Sequence, residues 1–298
     1  MTTIIKRVAL AGASGNLGPA ILKALLGANF EVTVLTRKDS TSSFPKASNL
    51  KVVPVDYAST ESLTSALQGH DALVSTLATL ALPVQLNLFD TAAAAGVRRV
   101  IPSEFGTNTT ISPTKDLPIF GHKVQVQKHL AELTAKDSNF SYTLVLTGPF
   151  FDWGLQVGLL VNVKARTAEL YDGGDRPFSV TSLAGIGEAV VGVLQHPDET
   201  KNRAVKIHDA LVTQNQLVNI TEKLSGDKFK TTTWDTKEGE TKAFEALKKG
   251  DHSVMLSFLK RAIWGEGYGG EFTDVDNELL GVKMLSDNKI KEIVAKYM

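Results

Sequence analysis

Three glycines near the N-terminus have the spacing of a loop that holds phosphate. The residues between a short apolar run and a segment of helical composition read Gly12-Ala13-Ser14-Gly15-Asn16-Leu17-Gly18. Glycines at such a strand-to-helix junction permit a tight turn, a close approach of the backbone to a pyrophosphate, and close packing of helix on strand. Free N–H groups at the helix start face the phosphates, and Ser14 and Asn16 offer further hydrogen bonds. The segment predicts a dinucleotide site; an ordinary tight turn is the alternative, because a glycine pattern alone is a weak signal.

Two basic residues stand where a dinucleotide-binding protein recognises the ribose of its cofactor. NAD enzymes usually place a carboxylate at the end of the second strand, where it binds the ribose 2′-hydroxyl. This chain has Thr36-Arg37-Lys38 there, and its first carboxylate, Asp39, comes later. The planar guanidinium of Arg37 matches a 2′-phosphate, and Lys38 adds positive charge. The pair favours NADP over NAD, and the alternative is a solvated basic loop.

Lys123 lies at the start of a predicted helix, on the side that carries its apolar residues. Val126, Leu130 and Leu133 follow it by three, seven and ten residues, which places all four side chains on the face that packs toward the sheet. A lysine in a desolvated cleft has a lowered pKa, which suits proton transfer near neutrality. It could instead bind the nicotinamide ribose or polarise a substrate oxygen. On spacing alone, a lysine whose stem packs while its ammonium reaches water is preferred.

Several kinds of chemistry are excluded by residues that the chain does not have. It contains no cysteine, so disulfides, thiolate metal sites, iron–sulfur clusters and cysteine nucleophiles are excluded. The Tyr-x-x-x-Lys couple of ordinary short-chain dehydrogenases is missing, as are a Walker-type loop and a Gly-x-Ser-x-Gly elbow. The histidines show no metal-ligand spacing, so no metal is predicted.

The composition is that of an ordinary globular protein. The 298 residues include 32 basic and 32 acidic side chains, so the formal net charge is 0, and 43% of the residues are apolar. This balance argues against a general nucleic-acid binder or a polybasic membrane-surface protein. The first apolar residues lead directly into the glycine segment instead of a cleavage site. We therefore expect a cytoplasmic protein with a small-molecule partner and no membrane span.

The first half of the chain alternates between strand and helix patterns, which predicts βαβ units and an α/β fold with a Rossmann-type, doubly wound parallel sheet. Strands are predicted at residues 8–11, 30–36, 50–55, 72–76, 99–102 and 143–146, and helices at 19–26, 60–67, 84–95 and 120–135. Ligands bind beyond the carboxyl ends of such strands. Thr76 and Leu77, which follow the fourth strand, are therefore expected to line a cofactor trough, although Leu77 also fits plain core.

The regular alternation weakens after Pro149, so residues 1–150 are predicted as the nucleotide-binding domain and 151–298 as a smaller, mostly helical substrate-binding part. Its helices are predicted at residues 183–194, 215–224, 241–248 and 253–264. Some of them are expected to pack back on the sheet. The glycine-rich segment 265–270 is expected to be a mobile lid.

Together, four features resemble one family. They are the glycine segment, Arg37, Lys123-x-x-Val126, and the stretch after the fifth strand, Ile101-Pro102-Ser103-Glu104-Phe105-Gly106. They resemble the atypical short-chain reductases of the isoflavone reductase-like, or phenylcoumaran benzylic ether reductase-like, group within the NmrA-like family. The resemblance is best over residues 5–155. Gln127-Lys128 and the segment 146–149 depart from the plant pattern and favour a fungal or microbial branch.

The resemblance implies roles for particular residues. In that family a lysine replaces the tyrosine–lysine couple, and it falls at the position of Lys123, which thereby becomes the preferred catalytic residue. The family binds NADPH, in agreement with the separate argument from Arg37. The residues expected to contact the cofactor are Gly12, Ser14, Gly15, Asn16, Leu17, Arg37, Lys38, Thr76, Leu77, Ser103, Phe105, Lys123, Gly148, Pro149 and Phe150.

The resulting hypothesis is hydride transfer from NADPH to an electrophilic carbon of an aromatic, enone or quinone-methide-like substrate, with Lys123 handling the proton or orienting the acceptor oxygen. Phe105, Phe151 and Trp153 are expected to wall the substrate pocket, although Phe151 and Trp153 fit a structural core equally well. The main alternative is a non-catalytic NADP-binding regulator of the NmrA-like kind. A sugar-nucleotide epimerase and a flavin-type quinone reductase are further alternatives, and the missing Tyr-x-x-x-Lys argues against the epimerase.

Overall fold

Short apolar strands alternate with helices along the chain, as the sequence pattern predicts. The computed structural model describes residues 4–78 and 81–298, and the side chains of these residues except 82 and 83. The strands are β1 (Arg7–Ala11), β2 (Glu31–Arg37), β3 (Leu50–Val55), β4 (Ala72–Ser75), β5 (Arg99–Ile101), β6 (Ser141–Leu146), β7 (Thr167–Tyr171), β8 (Phe178–Val180), β9 (Arg203–Lys206), β10 (Ala210–Val212) and β11 (Lys230–Trp234). The helices are α1 (Gly18–Gly27), α2 (Thr60–Leu67), α3 (Leu82–Ala94), α4 (Gly121–Lys136), α5 (Phe151–Gln156), α6 (Leu183–Gln195), α7 (Gln214–Ser225), α8 (Thr236–Lys248), α9 (Met255–Trp264), α10 (Asn277–Leu280) and α11 (Asp287–Lys296).

Seven strands form one parallel sheet with helices on both faces. The strand order is β3-β2-β1-β4-β5-β6-β9. Because successive side chains of a strand point to opposite faces, Val8 and Leu10 of β1 join the cluster under α1 and α6, whereas Ala9 and Ala11 join the cluster under α2, α3 and α4. This is the predicted Rossmann-type doubly wound fold.

The order of the strands reverses between β1 and β4, which creates the crevice where such sheets bind their ligands. From β1 the chain runs outward through β2 to β3, and it returns to the other side of β1 as β4. The carboxyl ends of β1 and β4 therefore lie side by side, with Ala11 opposite Ser75 in the register. The glycine segment leaves β1 at this point.

Residues beyond position 150 also contribute to the parallel sheet and to the helices that cover it. Strand β9 extends the sheet beside β6, and α6 packs against α1 so closely that a Cβ added at Gly187 would lie 2.9 Å from Ala24 Cβ. The helix predicted at 183–194 thus packs back on the sheet region, as expected. The division into domains at residue 150 remains a prediction. Among the described residues, no helix is long and apolar enough to cross a bilayer.

The C-terminal part contains short strands that the sequence pattern did not predict. Strand β10 pairs antiparallel with β8, and β11 pairs parallel with β7. Strands β8 and β10 are only 3 residues long, and β11 is largely exposed and rich in threonine, so none has a readable alternation of apolar and polar residues. With the helices, they enclose a second core around the fully buried Trp264.

Asp209 lies between β9 and β10, and its buried carboxylate contacts Ser182, the residue that precedes α6. It is 2% exposed, and it accepts hydrogen bonds from the Ser182 N–H at 3.0 and 2.9 Å and from the Ser182 hydroxyl. Burial raises the pKa of Asp209 to about 6; the hydrogen bonds of Ser182 oppose this shift, and the charges of Asp152 and Glu188 add to it. The folded protein therefore holds this proton at a pH where an unfolded chain has released it.

Replacing Asp209 by asparagine is expected to remove a pH dependence of stability. Because the pKa of Asp209 is higher in the folded state, its contribution to the free energy of unfolding falls by about 3 kcal/mol as pH rises from roughly 4 to 6 and stays low above that. Urea unfolding across that interval measures the slope in the wild type and in Asp209→Asn. An equal slope in the two proteins would show that this carboxylate does not set it.

Candidate active site

The glycine segment closes the turn between β1 and α1 in a way that needs glycine at two positions. Gly12 has a φ of +85°, and a Cβ there would lie 2.7 Å from Thr76 Oγ1. A Cβ at Gly18 would lie 2.3 Å from the carbonyl oxygen of Gly12. The Gly15 N–H donates to that same oxygen at 3.0 Å. No side chain caps the start of α1. Pro19 has no N–H, and the Ala20 N–H donates to the Leu17 carbonyl at 3.1 Å, so the Gly18 N–H of the first turn is left for a ligand.

A cavity of about 420 Å³ opens beside this turn. Four of the residues expected to contact the cofactor, Gly12, Ser14, Arg37 and Leu77, line it, whereas Gly15, Lys38 and Thr76 do not. The other lining residues are Ala13, Leu35, Thr36, Ser40, Ser42, Phe44, Tyr57, Ala78, Ala81 and Val84. Asn16 is exposed beside it. Leu17 instead buries its side chain in the core under α1, so only its backbone is available to a ligand.

The two predicted phosphate-binding cations are exposed and weakly paired. Arg37 Nε lies 3.7 Å from Asp39 Oδ1, and Lys38 Nζ lies 3.9 Å from Asp56 Oδ2. Exposed pairs at such distances contribute little to stability. Arg37 and Lys38 can therefore turn toward an anion at the rim of the cavity at small cost.

Lys123 lies in the first turn of α4 and points to the loop that follows β5. Its ammonium donates a hydrogen bond to the main-chain oxygen of Glu104. Burial lowers the pKa of Lys123, and the negative charge of Glu104 partly opposes that shift. The Lys123 ammonium is thus held against the loop that follows β5 by a half-buried side chain, and its catalytic role stays a prediction.

A buried hydrogen-bond network connects the loop that contacts Lys123 to the next turn of α4, and no role was predicted for it. Glu104 is 1% exposed, and its carboxylate accepts a hydrogen bond from the Thr109 hydroxyl. That hydroxyl accepts one from Gln127 Nε2 at 2.9 Å, one helical turn after the lysine. The four-residue spacing of Lys123 and Gln127 was the available signal, because residues so spaced share a helix face.

A second cavity, of about 140 Å³, lies at Lys123. It is bounded by the loops that follow β5 and β6, by the start of α4, and by α9 from the C-terminal part. Its lining residues are Phe105, Gly106, Thr107, Phe120, Lys123, Gly148, Pro149, Phe150, Trp153, Leu159, Leu259 and Ile263. Gly148 has a φ of +62°, and a Cβ there would lie 2.1 Å from the Ser179 carbonyl oxygen, so only glycine fits this wall.

The structure brings two of the three residues predicted to wall the substrate pocket to this cavity and leaves one out. Phe105 and Trp153 line it, as does Phe150 from the predicted cofactor contacts, whereas Phe151 is fully buried in the core around Trp264. The expectation of a pocket role for Phe151 is therefore corrected to a role in the core, because the first turn of α5 directs its side chain inward. Ser103 is half-buried in the loop after β5.

The glycine-rich segment 265–270 is anchored in the structure, in contrast to the mobile lid expected from its sequence. Tyr268 is buried, its hydroxyl donates to Glu240 Oε1 at 2.7 Å, and its carbonyl accepts from the Thr114 hydroxyl at 2.5 Å. The Gly270 carbonyl accepts from the Ser179 N–H at 2.9 Å. These contacts fix the segment against the C-terminal core.

The fold and the glycine turn define a Rossmann-type protein with a crevice at the carboxyl ends of β1 and β4. The chain belongs to the NmrA-like family, whose model matches residues 5–243. This confirms the family predicted from the motifs.

Individual relatives agree with this assignment. The chain is 32% identical to "Oxidoreductase poxI" of Penicillium oxalicum over 97% of this chain and 92% of the relative. It is 27% identical to "Isoflavone reductase homolog IRL" of Zea mays over 75% and 76% of the two chains. Among solved structures, the complex of leucoanthocyanidin reductase with NADPH from Vitis vinifera superposes with a TM-score of 0.76 at 18% identity, covering 98% of this chain and 99% of that one. The last comparison supports the fold.

Proposed function

We propose that the protein is an NADPH-dependent oxidoreductase that reduces a small, oxygen-bearing aromatic or enone compound in the cavity at Lys123. The observation that carries the proposal is the position of the Lys123 ammonium, which lies in an otherwise largely apolar cavity at the carboxyl ends of β5 and β6. The oxidoreductase name of the fungal relative supports the reaction class.

The residues around the glycine turn fit NADPH. Gly12 and Gly18 let the turn close tightly on Thr76 and on its own backbone, the start of α1 has no side-chain cap, and Arg37 offers a guanidinium at the rim of the larger cavity. A phosphate-rich ligand matches the last two of these features. When bound, NADPH supplies the hydride.

Lys123 is suited to hold the substrate oxygen and to give it a proton. A lysine ammonium has three N–H donors, and one of them goes to the Glu104 carbonyl. The others can meet an oxygen of a substrate in the cavity. Because burial lowers the pKa of Lys123, the group releases a proton at a lower pH than an exposed lysine, which assists general acid catalysis near neutrality.

Replacing Arg37 by alanine is expected to remove the preference for NADPH over NADH. A charge-assisted hydrogen bond contributes about 1.5–3 kcal/mol, so the affinity for NADPH should fall by about tenfold to a hundredfold while the affinity for NADH stays constant. Titration of both cofactors by fluorescence measures the two affinities. Lys38→Ala is the matched control, with a smaller loss expected from an exposed single charge. Unchanged NADPH binding in Arg37→Ala would show that the guanidinium does not contact the cofactor.

The reaction itself is tested by following NADPH consumption with a panel of enones, quinones and phenylpropanoids. The proposal expects turnover of at least one class, with a product that has gained two hydrogens. Stoichiometric binding of NADPH without turnover of any compound would contradict it and would favour a regulator of the NmrA-like kind.

A further inference from the structure

Glu104 is a buried acidic residue that contacts Lys123 and has no part in the proposed reaction. It is 1% exposed, although a glutamate is almost never fully buried unless it is paired. Its two ends have separate partners. The main-chain oxygen accepts a hydrogen bond from the Lys123 ammonium, and the carboxylate accepts one from the Thr109 hydroxyl. Because burying a carboxylate is costly, its place beside the lysine calls for an explanation.

Thr109 and Gln127 connect this carboxylate to the helix that carries Lys123. Thr109 is fully buried, and its hydroxyl accepts a hydrogen bond from Gln127 Nε2 at 2.9 Å while it donates to Glu104 Oε1. A hydroxyl has one hydrogen to donate, so the chain of hydrogen bonds runs in a single direction, from the amide to the carboxylate. Gln127 lies one turn after Lys123 on α4. Glu104 is therefore tied to α4 twice, through its main-chain oxygen and through its side chain.

The loop that contains Glu104 is fixed on its other side as well. The Gly106 carbonyl accepts hydrogen bonds from the Thr147 and Gly148 N–H groups at 2.9 Å each. A Cβ at Gly106 would lie 3.2 Å from Lys123 Nζ, so the ammonium packs closely against this loop. A lysine has a flexible four-carbon stem, and a fixed acceptor such as the Glu104 carbonyl holds its ammonium in one place.

The carboxylate also supplies a negative charge near the lysine. Burial lowers the pKa of Lys123, and the charge of Glu104 opposes that shift. His122, which precedes Lys123 on α4, is exposed, and the other residues that line the cavity carry no charge. Glu104 therefore favours the protonated form of Lys123, which is the form that can donate to a substrate oxygen.

We propose that Glu104 is a positioning residue whose carboxylate is held to α4 through Thr109 and Gln127, so that its main-chain oxygen fixes the Lys123 ammonium beside the cavity. The inference rests on the proposed function, since it takes Lys123 as the group that meets the substrate. Two contributions can be separated. The chain of hydrogen bonds determines where the ammonium lies, and the negative charge keeps it protonated.

Two variants test these contributions one at a time. Glu104→Gln keeps the shape and an acceptor for Thr109 but removes the charge, whereas Thr109→Val keeps the charge and removes the connecting hydroxyl. NMR of the NADP⁺-loaded protein, labelled with ¹³C and ¹⁵N in lysine, follows the titration of Lys123, whose signal is the one missing from Lys123→Met. The titration should move to lower pH in Glu104→Gln, because the opposite charge is gone. In Thr109→Val, hydrogen exchange of the ammonium should speed up about tenfold, the effect of one weakened hydrogen bond.

Kinetics with a substrate of the reductase panel give a second readout. Thr109→Val is expected to lower kcat by about tenfold to a hundredfold, the cost of a misplaced catalytic group, with the dissociation constant for NADPH unchanged. In Glu104→Gln, the loss of activity on the alkaline side should move to lower pH together with the titration of Lys123. A purely structural role of Glu104 would lower Tm without moving either pH curve.

Further variants on α4 serve as controls. Glu132→Gln and Gln125→Leu make matching changes at exposed positions of the same helix and should leave titration, exchange and kcat unchanged. Gln127→Leu breaks the chain of hydrogen bonds at a half-buried position, so it repeats the test if the variants at buried positions do not fold. The inference is overturned if the folded variants of Glu104, Thr109 and Gln127 keep the wild-type titration and exchange of Lys123. Altered titration and exchange support the positioning role even if no compound of the panel is turned over, an outcome that contradicts the proposed function alone.

Discussion

Replacing Lys123 by methionine is expected to lower kcat/KM by about 10²–10⁴-fold, the range of a lost general acid. Methionine keeps much of the length of the side chain but has no proton to give and no donor for a substrate oxygen. The affinity for NADPH should change far less, because the larger cavity, at the glycine turn, does not include Lys123. Steady-state kinetics combined with cofactor titration separates the two effects.

Lys128→Met is the matched control, because Lys128 lies on the same helix with an exposed side chain and should leave turnover unchanged. A pH profile adds a second readout. Activity that needs protonated Lys123 is lost as pH rises through its pKa, and burial moves that loss below the ordinary lysine value of about 10.4. Full activity in Lys123→Met would show that Lys123 takes no part in the reaction.

Replacing Arg99 by alanine is expected to destabilise the fold by about 3–5 kcal/mol, because it removes four hydrogen bonds to buried groups and leaves a cavity where the long side chain packed. Arg99 is 3% exposed and donates to Ser141 Oγ at 3.0 Å, Thr143 Oγ1 at 2.8 Å, Thr200 Oγ1 at 3.0 Å and the Pro197 carbonyl. It thereby ties β5 to β6 and to the turn after α6.

The neighbouring arginine is a matched control for that change. Arg98 is partly exposed, and it donates to Asp71 Oδ1 at 2.9 Å and to the Ile4 carbonyl at 3.0 Å. Exposed pairs of this kind contribute up to about 1 kcal/mol. Urea unfolding of Arg98→Ala and Arg99→Ala measures the difference, and equal losses would show that burial does not set the importance of Arg99. Since β5 leads directly into the Glu104–Thr107 loop, Arg99→Ala should also weaken activity.

Local sequence signals were sufficient for six of the seven strands of the sheet and for its crevice, whereas the edge strand β9 was not predicted. Each predicted strand and helix of the first half has a counterpart, and β1 shows why, since its continuous apolar run is buried on both faces. The short strands of the C-terminal part were missed, because β8 and β10 have too few residues to show a period. Their pairing depends on contacts between distant segments, which no local pattern records.

The same distinction holds for the site. The glycine turn, Arg37 and Lys123 lie in contiguous motifs and could be predicted, whereas Leu259 and Ile263 reach the cavity from α9 through tertiary packing. Phe151 and Trp153, two residues apart, were equivalent in the sequence; α5 turns the first into the core and the second toward the cavity.

The most direct test of the account is to supply NADPH deuterated at C4 of the nicotinamide, in each stereochemical form, with a substrate from the reductase panel. The account predicts that one form transfers its deuterium to a carbon of the product, one per NADPH oxidised, and that Lys123→Met slows this transfer by about 10²–10⁴-fold while still binding NADPH. A product without deuterium from either form, or transfer at the wild-type rate in Lys123→Met, would contradict the account.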